Sequence, residues 1–171
     1  MRQQLVITTE IGAFTISLDM EKAPVTAGYF LAIATEGGFN NSTVFRIVNE
    51  TNAEMRSNAK IEVIQMGINE IDSRYAKTLK HESTKMTGLS HKKWTISAAR
   101  YAVGQNYPSF FICMRDEPAL DYGGKRHPDG EGFAAFGKVV DGFDTLAVLF
   151  SKAEAKEYLQ HKIKIISITL K

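Results

Sequence analysis

The sequence has a single cysteine, Cys113, in 171 residues, so no internal disulfide can form. It ends the apolar run Phe110-Phe111-Ile112-Cys113, and a free thiol in that setting reads as core. No His or Lys adjoins it to lower its pKa, so a reactive role is not expected. Charge of one sign is also lacking. The formal net charge is +2 and no block of like charge stands out, which gives no warrant for nucleic-acid or membrane-surface partners. No apolar run approaches the roughly 18 residues needed to cross a bilayer. The opening MRQQLVITTE lacks an apolar centre and a small-residue cleavage site, so a secretory leader is not expected and a cytoplasmic, reducing compartment is.

Metal-ligand spacing is missing as well. His81, His91, His127 and His161 have no i, i+4 histidine or C-x-x-C companion, and they read as surface-loop residues. His81-Glu82 begins like a zincin motif, but Lys85 stands where its second histidine belongs. The Gly-rich stretch from Asp121 to Gly132 lacks the Gly-Lys-[Ser/Thr] ending of a phosphate loop, and reads as a surface loop shaped by turn residues. No G-x-S-x-G elbow supports a serine nucleophile. Neither a metal nor a cofactor is expected.

What is present is a series of short β-prone runs. Leu5–Thr9 and Phe14–Leu18 flank a Gly-containing connection and predict a hairpin. Pro24 suits the first turn of a helix in which Val25, Tyr29, Phe30 and Ile33 recur near the 3.6 period, and Gly37-Gly38 ends it. Strands follow at Thr43–Val48, Ile61–Met66, Thr95–Ala98, Phe110–Cys113, Phe133–Val139 and Ile163–Leu170, separated by polar loops, notably Asn49–Lys60 and Met114–Gly132. Asp144 is placed to cap a second helix over Thr145–Phe150. The apolar phase slips between Ile165 and Ile166, which predicts a bulge. The pattern predicts a mainly β domain spanning 1–171: a closed eight-stranded antiparallel barrel capped by two α-helices.

One constellation could carry chemistry. Arg46 interrupts an apolar strand, where a guanidinium is costly unless paired or facing a cleft. Gln65 interrupts another. Phe111, Leu120 and Phe133 add apolar surface. On residue types alone, Arg46 could equally be an edge-strand charge, Gln65 a satisfied polar group of the barrel, and the aromatics core.

Ile11-Gly12-Ala13-Phe14, Ala23-Pro24-x-Thr26-x-x-Tyr29-Phe30, Phe45-Arg46-Ile47-Val48, Ile64-Gln65-Met66-Gly67, Phe110-Phe111-Ile112-Cys113 and Phe136-Gly137-Lys138-Val139-Val140-x-Gly142 occur in one order along nearly the whole chain. In that order they resemble the cyclophilin family, and Ile96-Ser97-Ala98-Ala99-Arg100 is similar to its bacterial branch. The resemblance implies a peptidyl-prolyl cis-trans isomerase that assists protein folding, with proline-containing polypeptides as clients. Arg46 matches the catalytic arginine and Gln65 the glutamine that orients substrate. Val63, Phe111 and Leu120 match the walls of the proline pocket, and Phe133 replaces a frequent pocket histidine. Phe45 and Ser109 also fall at cleft positions, and Ala99 and Arg100 at the strand edge that pairs with substrate.

Several positions depart from the family pattern. Phe45 replaces a histidine, Glu62 a pocket phenylalanine, Met66 a glycine and Ser109 a second glutamine. Glu62 is expected either to face solvent or to pair with Arg46. Ala119 stands where eukaryotic members carry the tryptophan that contacts cyclosporin, so weak cyclosporin binding is expected. Nothing forces a dimer, and a monomer is expected. The departures keep an alternative open: a cyclophilin-fold module or holdase that binds proline-containing segments with little or no isomerase activity.

Overall fold

The computed structural model describes residues 3–54, 59–70 and 72–171. The loop expected over Asn49–Lys60 and the start of the opening stretch therefore lie partly outside the described residues. Among the described residues nine strands form in chain order: β1 (Gln3–Thr9), β2 (Ala13–Leu18), β3 (Thr43–Val48), β4 (Val63–Gly67), β5 (Lys77–Thr78), β6 (Thr95–Arg100), β7 (Gln105–Cys113), β8 (Ala135–Asp141) and β9 (Tyr158–Leu170). Three α-helices join them: α1 (Pro24–Thr35), α2 (Thr84–Thr87) and α3 (Phe143–Phe150). The sheet order is β4-β3-β9-β1-β2-β8-β6-β7, and β4 pairs with β7 to close eight strands into an antiparallel barrel. The two-residue β5 hangs on the start of β7 as a ninth. Closure leaves no exposed edge along most of the sheet.

The predicted hairpin is β1–β2, in a register that sets Leu5 opposite Ile16 and Ile7 opposite Phe14. All four belong to the barrel core. Pairing of β1 with β9 jumps from Thr8↔Ser167 to Thr9↔Ile165, so Ile166 is the extra residue of the expected bulge. On β4, Ile64 and Met66 enter the barrel core while Val63 joins a second cluster with Phe111, Cys113 and Leu120. The period-two alternation of the walls thus serves two apolar layers. One is the barrel interior and the other lies on its outer face.

Helix α1 drives Ala27, Phe30, Ile33 and Ala34 into the barrel core. The Phe30 ring stacks on Phe136 at 4.6 Å and meets Phe110 edge-on at 5.6 Å, so one aromatic ties the helix to β8 and β7. The helix ends as expected, with Gly37 at φ +77° and the Gly38 amide bonded to the Ile33 carbonyl. Its start differs. No local side chain caps it; the buried Glu82 carboxylate, 56 residues away, accepts the Thr26 N–H at 2.7 Å, the Thr26 hydroxyl at 2.6 Å and the Val25 N–H at 3.2 Å. An acidic group there answers both the free N–H groups and the helix dipole.

Two expectations are corrected. Asp144 sits within the first turn of α3, whose cap position is Gly142. The one-turn α2, capped by the Ser83 hydroxyl, is a third helix that no apolar period announced.

Glu82 should therefore be a stability determinant remote from any chemistry. Glu82→Ala is expected to lower unfolding free energy by about 1–3 kcal/mol, since it strands buried donors. Urea denaturation should show a lower midpoint at an unchanged m-value.

Candidate active site

The residues that interrupt the apolar strands meet on the outer face of the barrel. A cleft of about 350 Å³ is lined by Arg46 from β3, Val63 and Gln65 from β4, Tyr107 and Phe111 from β7, and Ala99 and Arg100 from β6. Leu120, Phe133 and the Arg126–Pro128 stretch close it from the long loop after β7.

A bulge puts Arg46 there. Pairing of β3 with β4 runs Val44↔Met66 and then Arg46↔Gln65, so Phe45 is the extra residue. Val44 lies in the barrel core, and without the bulge Arg46, two residues on, would point the same way. The inserted residue reverses the phase, returning Ile47 to the interior and sending Arg46 and Val48 outward.

The guanidinium is held on three sides. Arg46 Nε donates to Glu157 Oε1 at 3.0 Å, and Nη2 donates to the same oxygen in an ion pair. Nη1 donates to Gln65 Oε1 at 3.1 Å. The Tyr158 ring lies 5.1 Å from Arg46 Cζ. Because arginine only donates, the Gln65 oxygen must face it. The Gln65 amide nitrogen then donates to Ser109 Oγ at 3.0 Å and Tyr107 Oη at 3.3 Å. Three of the five guanidinium N–H groups are engaged among the described residues, and two remain. Burial pushes the Glu157 carboxyl up, but hydrogen bonds from Arg46 and the Glu54 amide outweigh it and the net shift is down. Burial pushes the Tyr107 phenol up to about 12.

The sequence-predicted residues divide accordingly. Arg46, Gln65, Val63, Ala99, Arg100, Phe111, Leu120 and Phe133 all line the cleft. Phe45 does not: as the bulged residue it is 1% exposed and its ring stacks near Tyr158 at 6.3 Å. Ser109 is fully buried behind Gln65 and reaches the cleft only through it. Glu62 neither lines the wall nor pairs with Arg46. Its side chain accepts the Glu50 N–H at 3.3 Å, and Ile61 supplies the apolar wall instead.

Arg100 has no donor left for a ligand. Its five N–H groups go to the Gly132 carbonyl (twice), the Tyr101 carbonyl and both oxygens of Asp129, at 2.7–3.0 Å. Its Cζ lies 5.0 Å from the Phe133 ring, which meets Phe111 edge-on. Arg100 therefore braces the wall, and the Gly-rich stretch read as a plain surface loop forms part of the cleft.

His91 is not the surface residue expected. It is 1% exposed, its Nδ1 lies 2.7 Å from Asp121 Oδ1 and its Nε2 2.8 Å from Ser97 Oγ. Burial pushes the Asp121 carboxyl up, but the His91 hydrogen bonds outweigh it and the net shift is down. The order Ser–His–Asp has the form of a nucleophilic triad, yet Ser97 has no exposed surface for a substrate to reach. The imidazole instead stacks near Phe111 at 6.3 Å and supports the apolar wall. Cys113 is buried as expected, and burial pushes its thiol pKa up. No cluster of three or more metal-ligating side chains occurs among the described residues.

The family model described as cyclophilin type peptidyl-prolyl cis-trans isomerase/CLD matches residues 4–170. The chain belongs to that family. Peptidyl-prolyl cis-trans isomerase A of Dickeya dadantii is 29% identical over 82% of this cyclophilin-type chain and 67% of its own length. Peptidyl-prolyl cis-trans isomerase B of Escherichia coli is 29% identical over 81% and 78%. A cyclophilin-type isomerase structure from Cryptosporidium parvum superposes with a TM-score of 0.78 at 20% identity, covering 100% of this chain and 98% of that one. A second structure of that protein, determined in the presence of the dipeptide Ala-Pro, gives 0.78 at 21%, covering 99% of each chain.

The brace should show in acid. Hydrogen bonds from Arg100 hold the Asp129 carboxyl at about 2, against an ordinary 3.8. A carboxylate depressed in the folded state stabilises fully above its unfolded pKa, and that contribution disappears as pH falls through the folded value. Thermal midpoints should therefore drop between about pH 4 and pH 2. Asp129→Asn should remove that part of the pH dependence.

Proposed function

We propose that this cyclophilin-type peptidyl-prolyl cis-trans isomerase accelerates rotation of X–Pro bonds in polypeptide clients by presenting Arg46 to the twisting amide. The carrying observation is the placement of Arg46: a guanidinium with two N–H groups to spare among the described residues, beside the apolar wall of a cleft, fixed by a carboxylate and an amide. Rotation about a peptide bond must overcome a barrier of about 18–20 kcal/mol that comes from amide resonance. For prolyl bonds it takes tens to hundreds of seconds uncatalysed, roughly the time of slow folding phases. No proton leaves and no covalent bond breaks, so the reaction calls for neither nucleophile nor general base.

In this reading Val63, Phe111, Leu120, Phe133 and Ile61 bury the proline ring as a fixed hinge. The spare N–H groups of Arg46 meet the substrate carbonyl as the bond twists. An N–H directed at the prolyl nitrogen also favours its localised, pyramidal lone pair. That interaction is stronger in the twisted state than in the planar one, as catalysis requires. Gln65 orients both arginine and substrate. Phe45 in place of histidine costs nothing here, because no proton transfer is lost and the residue lies outside the cleft. Proline-containing clients are supported by the family and by the apolar wall. The intermediate exposure of Ala119 beside Leu120, with no indole to offer, supports weak cyclosporin binding.

Arg46→Ala is expected to lower kcat/KM for a proline-containing peptide by about 10²- to 10³-fold, the usual cost of removing a donor aimed at a transition state. Arg46→Lys should recover little, since lysine keeps the charge but not the planar fork. A protease-coupled assay measures both. Wild-type activity in the alanine variant would refute the role of Arg46, whereas peptide binding without rate enhancement in the wild type would favour the binding module.

A further inference from the structure

Glu157 lies immediately before β9, 111 residues from Arg46 in sequence, and its side chain is 2% exposed. A carboxylate so buried needs donors, and it has three. Oε1 takes Nε and Nη2 of Arg46, and Oε2 takes the Glu54 N–H at 2.8 Å. Its own carbonyl accepts the Ile47 N–H at 2.9 Å, so its main chain is stitched to β3 one residue beyond Arg46. The reach of the carboxylate is thereby fixed relative to the strand that carries the arginine.

The contact has a consequence that ion pairing for its own sake would not require. Arginine swings on several rotatable bonds, and Gln65 restrains only one of its terminal nitrogens. By occupying the Nε–Nη2 edge, Glu157 fixes the plane of the guanidinium, and with it the directions of the two remaining N–H bonds. It does so while offsetting much of the positive charge. If raw charge were what the site needed, this carboxylate would be a handicap.

We propose that Glu157 is a positioning residue for prolyl isomerisation, locking one edge of Arg46 so that its unengaged N–H groups stay aimed at the substrate carbonyl. This rests on the reading of Arg46 given above. Glu157→Ala is expected to lower kcat by about tenfold to a hundredfold, the scale of a small misplacement of a reacting group, with KM little changed. Glu157→Gln can keep an oxygen for the same two Arg46 donors without the charge, but its amide nitrogen then faces the Glu54 N–H, so a partial recovery of kcat is expected.

The experiment measures kcat and KM for wild type, Glu157→Ala, Glu157→Gln, Arg46→Ala and the Arg46→Ala/Glu157→Ala double variant. The Arg46 Nε–Hε resonance in ¹H–¹⁵N spectra reports the geometry. Support is a kcat loss in Glu157→Ala, partial rescue by Gln, a resonance displaced further in the alanine variant than in the glutamine one, and no further loss in the double variant. A loss in Arg46→Ala without one in Glu157→Ala overturns the role of Glu157 alone, as does an effect confined to KM. Full activity in Arg46→Ala overturns the underlying reading instead. Should Glu157→Ala not fold, Glu157→Gln decides: a kcat loss at unchanged KM together with a displaced resonance supports the proposal, and wild-type kcat with a displaced one overturns it.

Discussion

A guanidinium cannot sit unpaired in the packed interior of a small β-barrel, and the bulge at Phe45 is how β3 meets that constraint. The strand has to give Val44 and Ile47 to the core while carrying Arg46 between them. A regular two-residue alternation cannot do this, because Val44 and Arg46 would share a face. One inserted residue, itself buried against the Tyr158 side of the strand, resolves the conflict. The polar contacts of Arg46 then follow from the new phase: it stands opposite Gln65 in the β3–β4 ladder, and opposite Tyr158 in the β3–β9 ladder, with Glu157 one residue upstream.

The cleft wall rests on a second set of polar groups that never touch the Arg46 guanidinium. Arg100 and Asp129 pin the loop that carries Phe133, and His91 and Asp121 pin the residues behind Phe111. Both pairs span long stretches of chain, so each ties loop to barrel where apolar contacts are few. A proline-sized pocket depends on its walls holding their places, and a loop without anchors would let the Phe133 ring shift against Phe111 on β7. The two contacts act as anchors behind the apolar wall. This also accounts for an Arg100 with no donor left over.

What the sequence disclosed, and what it hid, follows the range of each interaction. The β1–β2 hairpin, the Gly37-Gly38 stop of α1 and the extra residue at Ile166 depend on neighbours a few positions away, and local pattern revealed them. Arg46 and Gln65 stood out because each breaks an apolar run. The bulge at Phe45 left no such trace, since Val44, Phe45, Ile47 and Val48 are all apolar and show no alternation to slip. Glu157 stands in a polar stretch where another glutamate attracts no notice. Only barrel closure brings it to a residue 111 positions earlier. Glu82 capping α1 and Asp121 holding His91 are hidden for the same reason. Residue chemistry marks which groups need partners, and topology decides who the partners are.

That division bears on how such a site can work. At a site built for proton transfer, environment moves a group's pKa toward neutrality so that it can cycle. Here the cleft groups move the other way: Glu157 is held down as a carboxylate and Tyr107 is pushed up as a phenol. Burial and Arg46 lower Arg126, but an arginine remains protonated. None of these three groups is tuned to exchange a proton. The long-range contacts fix directions instead, and direction is what a reaction that only rotates a bond requires. A residue such as Glu157, which adds no reactivity and offsets a charge, makes sense under that demand.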